Sequence, residues 1–243
     1  LAGIKLVITL DSDSILPANA AHVLVGAMAH PLNRPVFDDK KGIVVSGYGI
    51  IQPRVGITLQ SATSTIFAKV FAGHAGIDPY TKLVSNVYQD IFGEGSFVGK
   101  GIYDVEAFQR ALENRVPENA LLSHDLFEGS FARCGLLSDG ELFDDFPVRY
   151  HVYSKRIHRW VRGDWQLLPF IFPWIPNAQR RLYRNPLSDL SRWKLIDNLR
   201  RSMVAPAIFL ALLCAVGFAT PAYSLWLVGL CIFALALPVY LSI

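Results

Sequence analysis

The sequence predicts a mixed α/β domain followed by an apolar, membrane-spanning tail. Three observations predict this. Residues 4–10 form a short β-branched run that ends in Asp11-Ser12-Asp13, the form of a strand buried on both faces with ligand groups at its carboxyl end. Strand-like and helix-like stretches then alternate without internal repeats. Residues 202–243 contain no charged side chain.

Composition supports the same division. Hydrophobic residues make up 52% of the 243 and charged residues 18%, against roughly 25% charged in a typical soluble domain. Residues 1–148 carry 11 basic and 17 acidic side chains, while residues 149–201 carry 12 basic and 3 acidic. A basic block directly before an apolar run has the pattern of a cytoplasmic membrane flank, and it argues against nucleic acid as a partner. Three cysteines, Cys134, Cys214 and Cys231, make no disulfide framework or zinc spacing and fit a reducing compartment. The chain opens Leu1-Ala2-Gly3 and enters a strand within ten residues, so it reads as a segment of a longer protein.

In chain order, Pro17 opens a helix through residues 20–30, which the prolines at 31 and 35 stop. Residues 43–51 read as one strand, with Gly47 and Gly49 marking a bulge or a close approach. Residues 61–71 read as a helix, 73–80 as a loop, 104–113 as a helix and 136–143 as a strand. Residues 164–175 are aromatic and broken by prolines, which favours a membrane interface, and 188–202 read as a basic amphipathic helix. Two spans are expected, at about 203–218 and 224–243, divided at Thr220-Pro221. The domain division is 1–165 catalytic, 166–202 interfacial and 203–243 transmembrane.

Several groups can carry chemistry. Alternate residues of an extended chain point to one side, so Asp11 and Asp13 can face one ligand. Their hard oxygens suit Mg²⁺ or Mn²⁺ bound jointly with substrate phosphates. Strand-D-x-D also opens haloacid-dehalogenase-type phosphatases, in which the first aspartate is the nucleophile. Asp144-Asp145 partly matches the later acidic pair of that class. Asp125, in Ser123-His124-Asp125, is a candidate general base, or a helix cap. Lys155, Arg156, Arg159 and Arg162 lie within eight residues, beside Trp160 and Trp165. Arginine can neutralise a departing diphosphate, and tryptophan can stack on a sugar; a basic interfacial anchor is the plainer reading. Residues 93–101 hold four glycines but match neither a dinucleotide fingerprint nor a P-loop.

The order D-x-D, acidic base, R-W, membrane helices resembles processive inverting glycosyltransferases of the cellulose-synthase type. His124 replaces their glutamate before the base and Arg156 their glutamine, which sets the chain apart from cellulose or chitin synthesis. The strings L-D-S-D, A-H-P-L-N-R-P, G-Y-G-I-I-Q-P-R, G-I-D-P-Y, D-I-F-G-E-G-S-F-V-G-K-G-I-Y-D, S-H-D-L-F-E-G and H-R-W-V-R-G-D-W-Q more closely resemble the glycosyltransferase domain of cyclic β-1,2-glucan synthases.

That resemblance implies a partial GT-A-like (Rossmann-like) domain, interfacial helices and two C-terminal transmembrane helices. It implies UDP-glucose as donor, inversion, a β-1,2-glucan acceptor, and a catalytic domain on the cytoplasmic face of a bacterial inner membrane. It also implies membrane lipid and further domains of a larger parent as partners, with the uridine-binding residues upstream of residue 1. The implied roles are Asp125 as base; Asp11, Asp13, Arg159 and Arg162 on the donor diphosphate; Asp13 and Asp11 on the metal; and Trp160, Gly95, Ser96 and His124 on the acceptor. The alternatives are a haloacid-type phosphatase and a non-catalytic membrane-anchored binding module.

Overall fold

A computed structural model describes residues 3–72, 87–122, 125–217 and 220–240. The chain runs β1 (Leu6–Thr9), α1 (Ala20–Ala29), β2 (Val36–Asp38), β3 (Ile43–Ser46), β4 (Ile50–Ile57), α2 (Leu59–Thr63), α3 (Ile66–Phe71), α4 (Val87–Phe92), β5 (Gly101–Asp104), α5 (Val105–Leu112), α6 (Asp125–Ala132) and β6 (Cys134–Asp144). Then follow α7 (Tyr150–Gln166), a 3-10 turn at Leu168–Ile171, β7 (Trp174–Pro176), β8 (Leu182–Arg184), α8 (Asp189–Gly217) and α9 (Pro221–Tyr240).

The central sheet is mixed, in the order β1-β5-β4-β6. β5 is antiparallel to both β1 and β4, and β4 runs parallel to β6. Successive residues of a strand point to opposite faces, and β4 shows the consequence. Ile50 joins Phe127, Phe131, Phe170 and Leu195 in one core, while Ile51 joins Leu24, Met28 and Ile102 in the other. The sheet is thus covered by α1 on one face and by α5, α6 and the start of α8 on the other.

Several expectations need correction. β1 lies at the sheet edge and is half-buried, because among the described residues one of its sides has no neighbouring strand. α1 begins at Ala20 rather than at Pro17, whose carbonyl accepts from Ala20 N. Residues 43–51 split into β3 and β4. Gly47 forces the break: its φ is +63°, and a Cβ there would lie 1.9 Å from the Arg34 carbonyl oxygen. The helix expected at 61–71 is two helices, because Thr65 turns to an extended conformation and caps the second through Ala68 N. α5 forms as expected, with Asp104 accepting from Ala107 N at 2.8 Å. The 73–80 loop lies outside the described residues.

The tail forms α8 and α9, which pack together; Ala215 and Cys231 are buried. The amphipathic stretch 188–202 and the first apolar run are one continuous helix, α8, with Pro206 inside it. Among the described residues α8 is the one helix long and apolar enough to cross a membrane, by length and composition. Only 11% of its apolar window is buried.

Candidate functional site

The turn after β1 places the first candidate groups. The strand stops at Thr9, and Ser14 N donates to the Asp11 carbonyl at 3.0 Å, so Asp11-Ser12-Asp13 is a turn and not an extended stretch. The two carboxylates therefore reach different cations. Lys100 Nζ lies 2.7 Å from Asp11 Oδ2, and Arg156 Nη2 lies 3.1 Å from Asp13 Oδ2. The turn is zipped onto the end of β6 by paired backbone bonds between Ile15 and Phe143.

Asp144, at that end of β6, is the buried anchor of the cluster. It is 6% exposed, accepts from Ser14 Oγ at 2.6 Å, and lies 3.0 Å from Lys100 Nζ. Lys100 thus bridges Asp11 and Asp144. Burial opposes its charge, but the hydrogen bond to Asp11 and the fields of Asp144 and Asp11 outweigh burial and raise it above its ordinary 10.5. Lys100 stays a cation at neutral pH.

The neighbouring residue ties in Asp125. Gly99 has φ +89°, and a Cβ there would sit 3.1 Å from Asp125 Oδ2. A side chain here would strain the left-handed backbone and require that carboxylate to give by a few tenths of an ångström. Asp125 is the first residue of α6 and half-buried, and Gly99, which it packs against, directly precedes the lysine that bridges Asp11 and Asp144. Asp11, Asp13, Asp125, Asp144, Lys100 and Arg156 therefore belong to one connected region at the end of the sheet.

α7 brings Arg156 in, with its guanidinium 5.9 Å from the Trp160 ring centroid one helical turn on. Arg159 and Arg162 lie on the same helix and are exposed. Gly95 and Ser96 are buried; the Gly95 carbonyl accepts from Lys194 Nζ at 2.8 Å, and among the described residues Ser96 Oγ has no hydrogen-bond partner. Ser123 and His124 lie outside the described residues. Lys100 and Asp144 are the site residues that motif reading missed as a pair. Their signals were a lysine set between two glycines before a strand, and an aspartate at a strand end.

Among the described residues no three His, Cys, Asp or Glu side chains group as a metal cage. Asp11 faces Lys100 and Asp13 faces Arg156, and carboxylates of this kind are what Mg²⁺ or Mn²⁺ takes, one or two at a time, with phosphate oxygens and water.

The fold and this region define a mixed α/β domain with an acid–base cluster at one end of its sheet and an apolar helical tail. Against curated proteins, the chain is 53% identical over 210 residues, 86% of its length, to cyclic beta-(1,2)-glucan synthase NdvB of Rhizobium meliloti (strain 1021). Over that stretch it belongs with the cyclic β-(1,2)-glucan synthases, as its motifs predict. The chain spans 7% of that relative's length. No family model matches it.

Proposed function

We propose that this chain carries the sugar-transfer step of β-glucan synthesis, moving glucose from UDP-glucose to a glucan acceptor with inversion. The observation that carries the reading is the 53% identity to a glucan synthase across a stretch whose carboxylates and cations meet at one end of the sheet.

In this reading Asp125 takes the proton of the acceptor hydroxyl as that oxygen forms its bond to the anomeric carbon. The bond from that carbon to the donor diphosphate breaks, and its electron pair leaves with UDP. Arg156 and Lys100, with Arg159 and Arg162 at the exposed side of α7, offset the charge gathered there. Trp160 offers a stacking face to the acceptor. Asp13 and Asp11 are the residues that would hold Mg²⁺ or Mn²⁺, which when bound supplies positive charge to the diphosphate. The basic block beside apolar α8 supports placement on the cytoplasmic face of a bacterial inner membrane, with α8 as the helix long and apolar enough to span it and α9 proposed as a second span packed against it. Lipid and the remaining length found in the relative are the partners this reading names.

One observation favours a second reading. Lys100 joins Asp11 to Asp144, a lysine linking a strand-end aspartate to a later acidic pair, as a haloacid-type phosphatase requires. UDP release from UDP-glucose with Mg²⁺ or Mn²⁺, measured with full-length protein in membranes, separates the two. The transferase releases UDP, and Asp125→Asn abolishes release while donor binding survives. Phosphate release without a nucleotide sugar, with a phosphorylated Asp11, would establish the phosphatase instead. Retained polymer synthesis in Asp125→Asn would remove that residue from the base role.

A further inference from the structure

We propose that Lys194 is a positioning residue that makes the geometry of the site loop depend on the membrane-proximal helix α8. Lys194 is 4% exposed, near the start of the helix whose later half is apolar. A buried ammonium is costly unless its donors are used. Its Nζ reaches across 99 residues to the Gly95 carbonyl at 2.8 Å, with the Glu94 carbonyl at 3.5 Å, the Glu94 carboxylate at 3.8 Å and the Tyr88 ring centroid at 5.2 Å. A leucine or methionine would pack there without that cost, so the lysine specifies position rather than adhesion.

The loop it grips is held from the sheet side as well. The Gly93 carbonyl accepts from Tyr48 Oη and from Arg133 Nη2, each at 3.0 Å, and Gly95 N donates to the Cys134 carbonyl at 2.7 Å. Arg133 also lies 3.8 Å from Glu94. From Gly95 the chain runs through buried Ser96 and Phe97 to Val98, whose N–H donates to Gln52 Oε1 at 2.6 Å, and then to Gly99 and Lys100. Gly99 packs on Asp125, and Lys100 bridges Asp11 and Asp144. A displacement of α8 at Lys194 is thereby passed within five residues to the groups that define the site. The inference rests on the transferase reading for its activity readout alone.

The test uses full-length protein in nanodiscs, wild type against Lys194→Met, Lys194→Arg and Glu94→Gln. The expected result is at least tenfold faster amide exchange across residues 93–101 in Lys194→Met, with β4 and β6 unchanged. UDP release should lose at least tenfold in kcat, with the KM for UDP-glucose within threefold. Lys194→Arg should restore more than half of kcat, and Glu94→Gln should speed loop exchange less than Lys194→Met does. Unchanged loop exchange, or faster exchange spread equally through β4 and β6, would overturn the proposal by showing no link or a merely structural one. If wild type releases no UDP, the transferase reading fails, and the exchange comparison still decides the coupling.

Discussion

Arg156 Nη2 donates to Asp13 Oδ2 at 3.1 Å, joining residues 143 positions apart in the chain. The contact brings α7 to the turn after β1, and Trp160 stands one turn further along the same helix. Arg156→Met should lower kcat/KM for UDP release by about 10²-fold, the usual scale for losing one charge-stabilising donor. Arg156→Lys should recover only part of this, because an ammonium lacks the planar fork. Steady-state kinetics on membranes, with Asp13→Asn closing a double-mutant cycle, would check both.

Lys100→Met should destabilise the domain more than any surface change. It leaves Asp144, 6% exposed, without its cation, and breaking a buried pair from one side costs about 3–5 kcal/mol. Adding Asp144→Asn should restore part of the loss, since the orphaned charge is then gone. Denaturant midpoints of the three variants measure this.

Stability should begin to fall above about pH 9, where the Cys134 thiol starts to ionise in the unfolded chain. Lys100 is raised from 10.5, so its contribution is complete below 10.5 and is lost as pH climbs through the raised value. Burial pushes the Cys134 thiol from 9.0 up to about 12; its contribution is complete below 9.0 and is lost toward 12. Both act in the alkaline direction, and denaturation at stepped pH should show no loss from either group on the acid side. Iodoacetamide at pH 8 should leave Cys134 unmodified in the folded protein.

Gly99→Ala should reduce catalysis more than stability. The φ of +89° strains any side chain, by roughly 1–2 kcal/mol, and the added Cβ would press on Asp125 at 3.1 Å. The expected result is a modest drop in melting temperature with a loss of kcat of tenfold or more. An equal loss from Gly217→Ala, where nothing lies within 4 Å, would refute the assignment.

Local chemistry made much of this legible. The β-branched run before Asp11 and the helix that follows Asp104 each state their structure within a few residues. The glycine break at Gly47 was visible only as a glycine, because its reason is the Arg34 carbonyl, thirteen positions earlier. Lys100 and Asp144 were harder, being 44 residues apart and joined only by the packing of β5 and β6 into one sheet. The choice of Arg156 to meet Asp13 depends on how α7 is rotated against the sheet, and four cations within eight residues leave that rotation open.

Pro206 offers no backbone N–H to the Ser202 carbonyl, so the hydrogen-bond ladder of α8 is cut between its two halves. The helix gains a joint at that level. The apolar half can tilt about that level while the half bearing Lys194 stays seated on the loop.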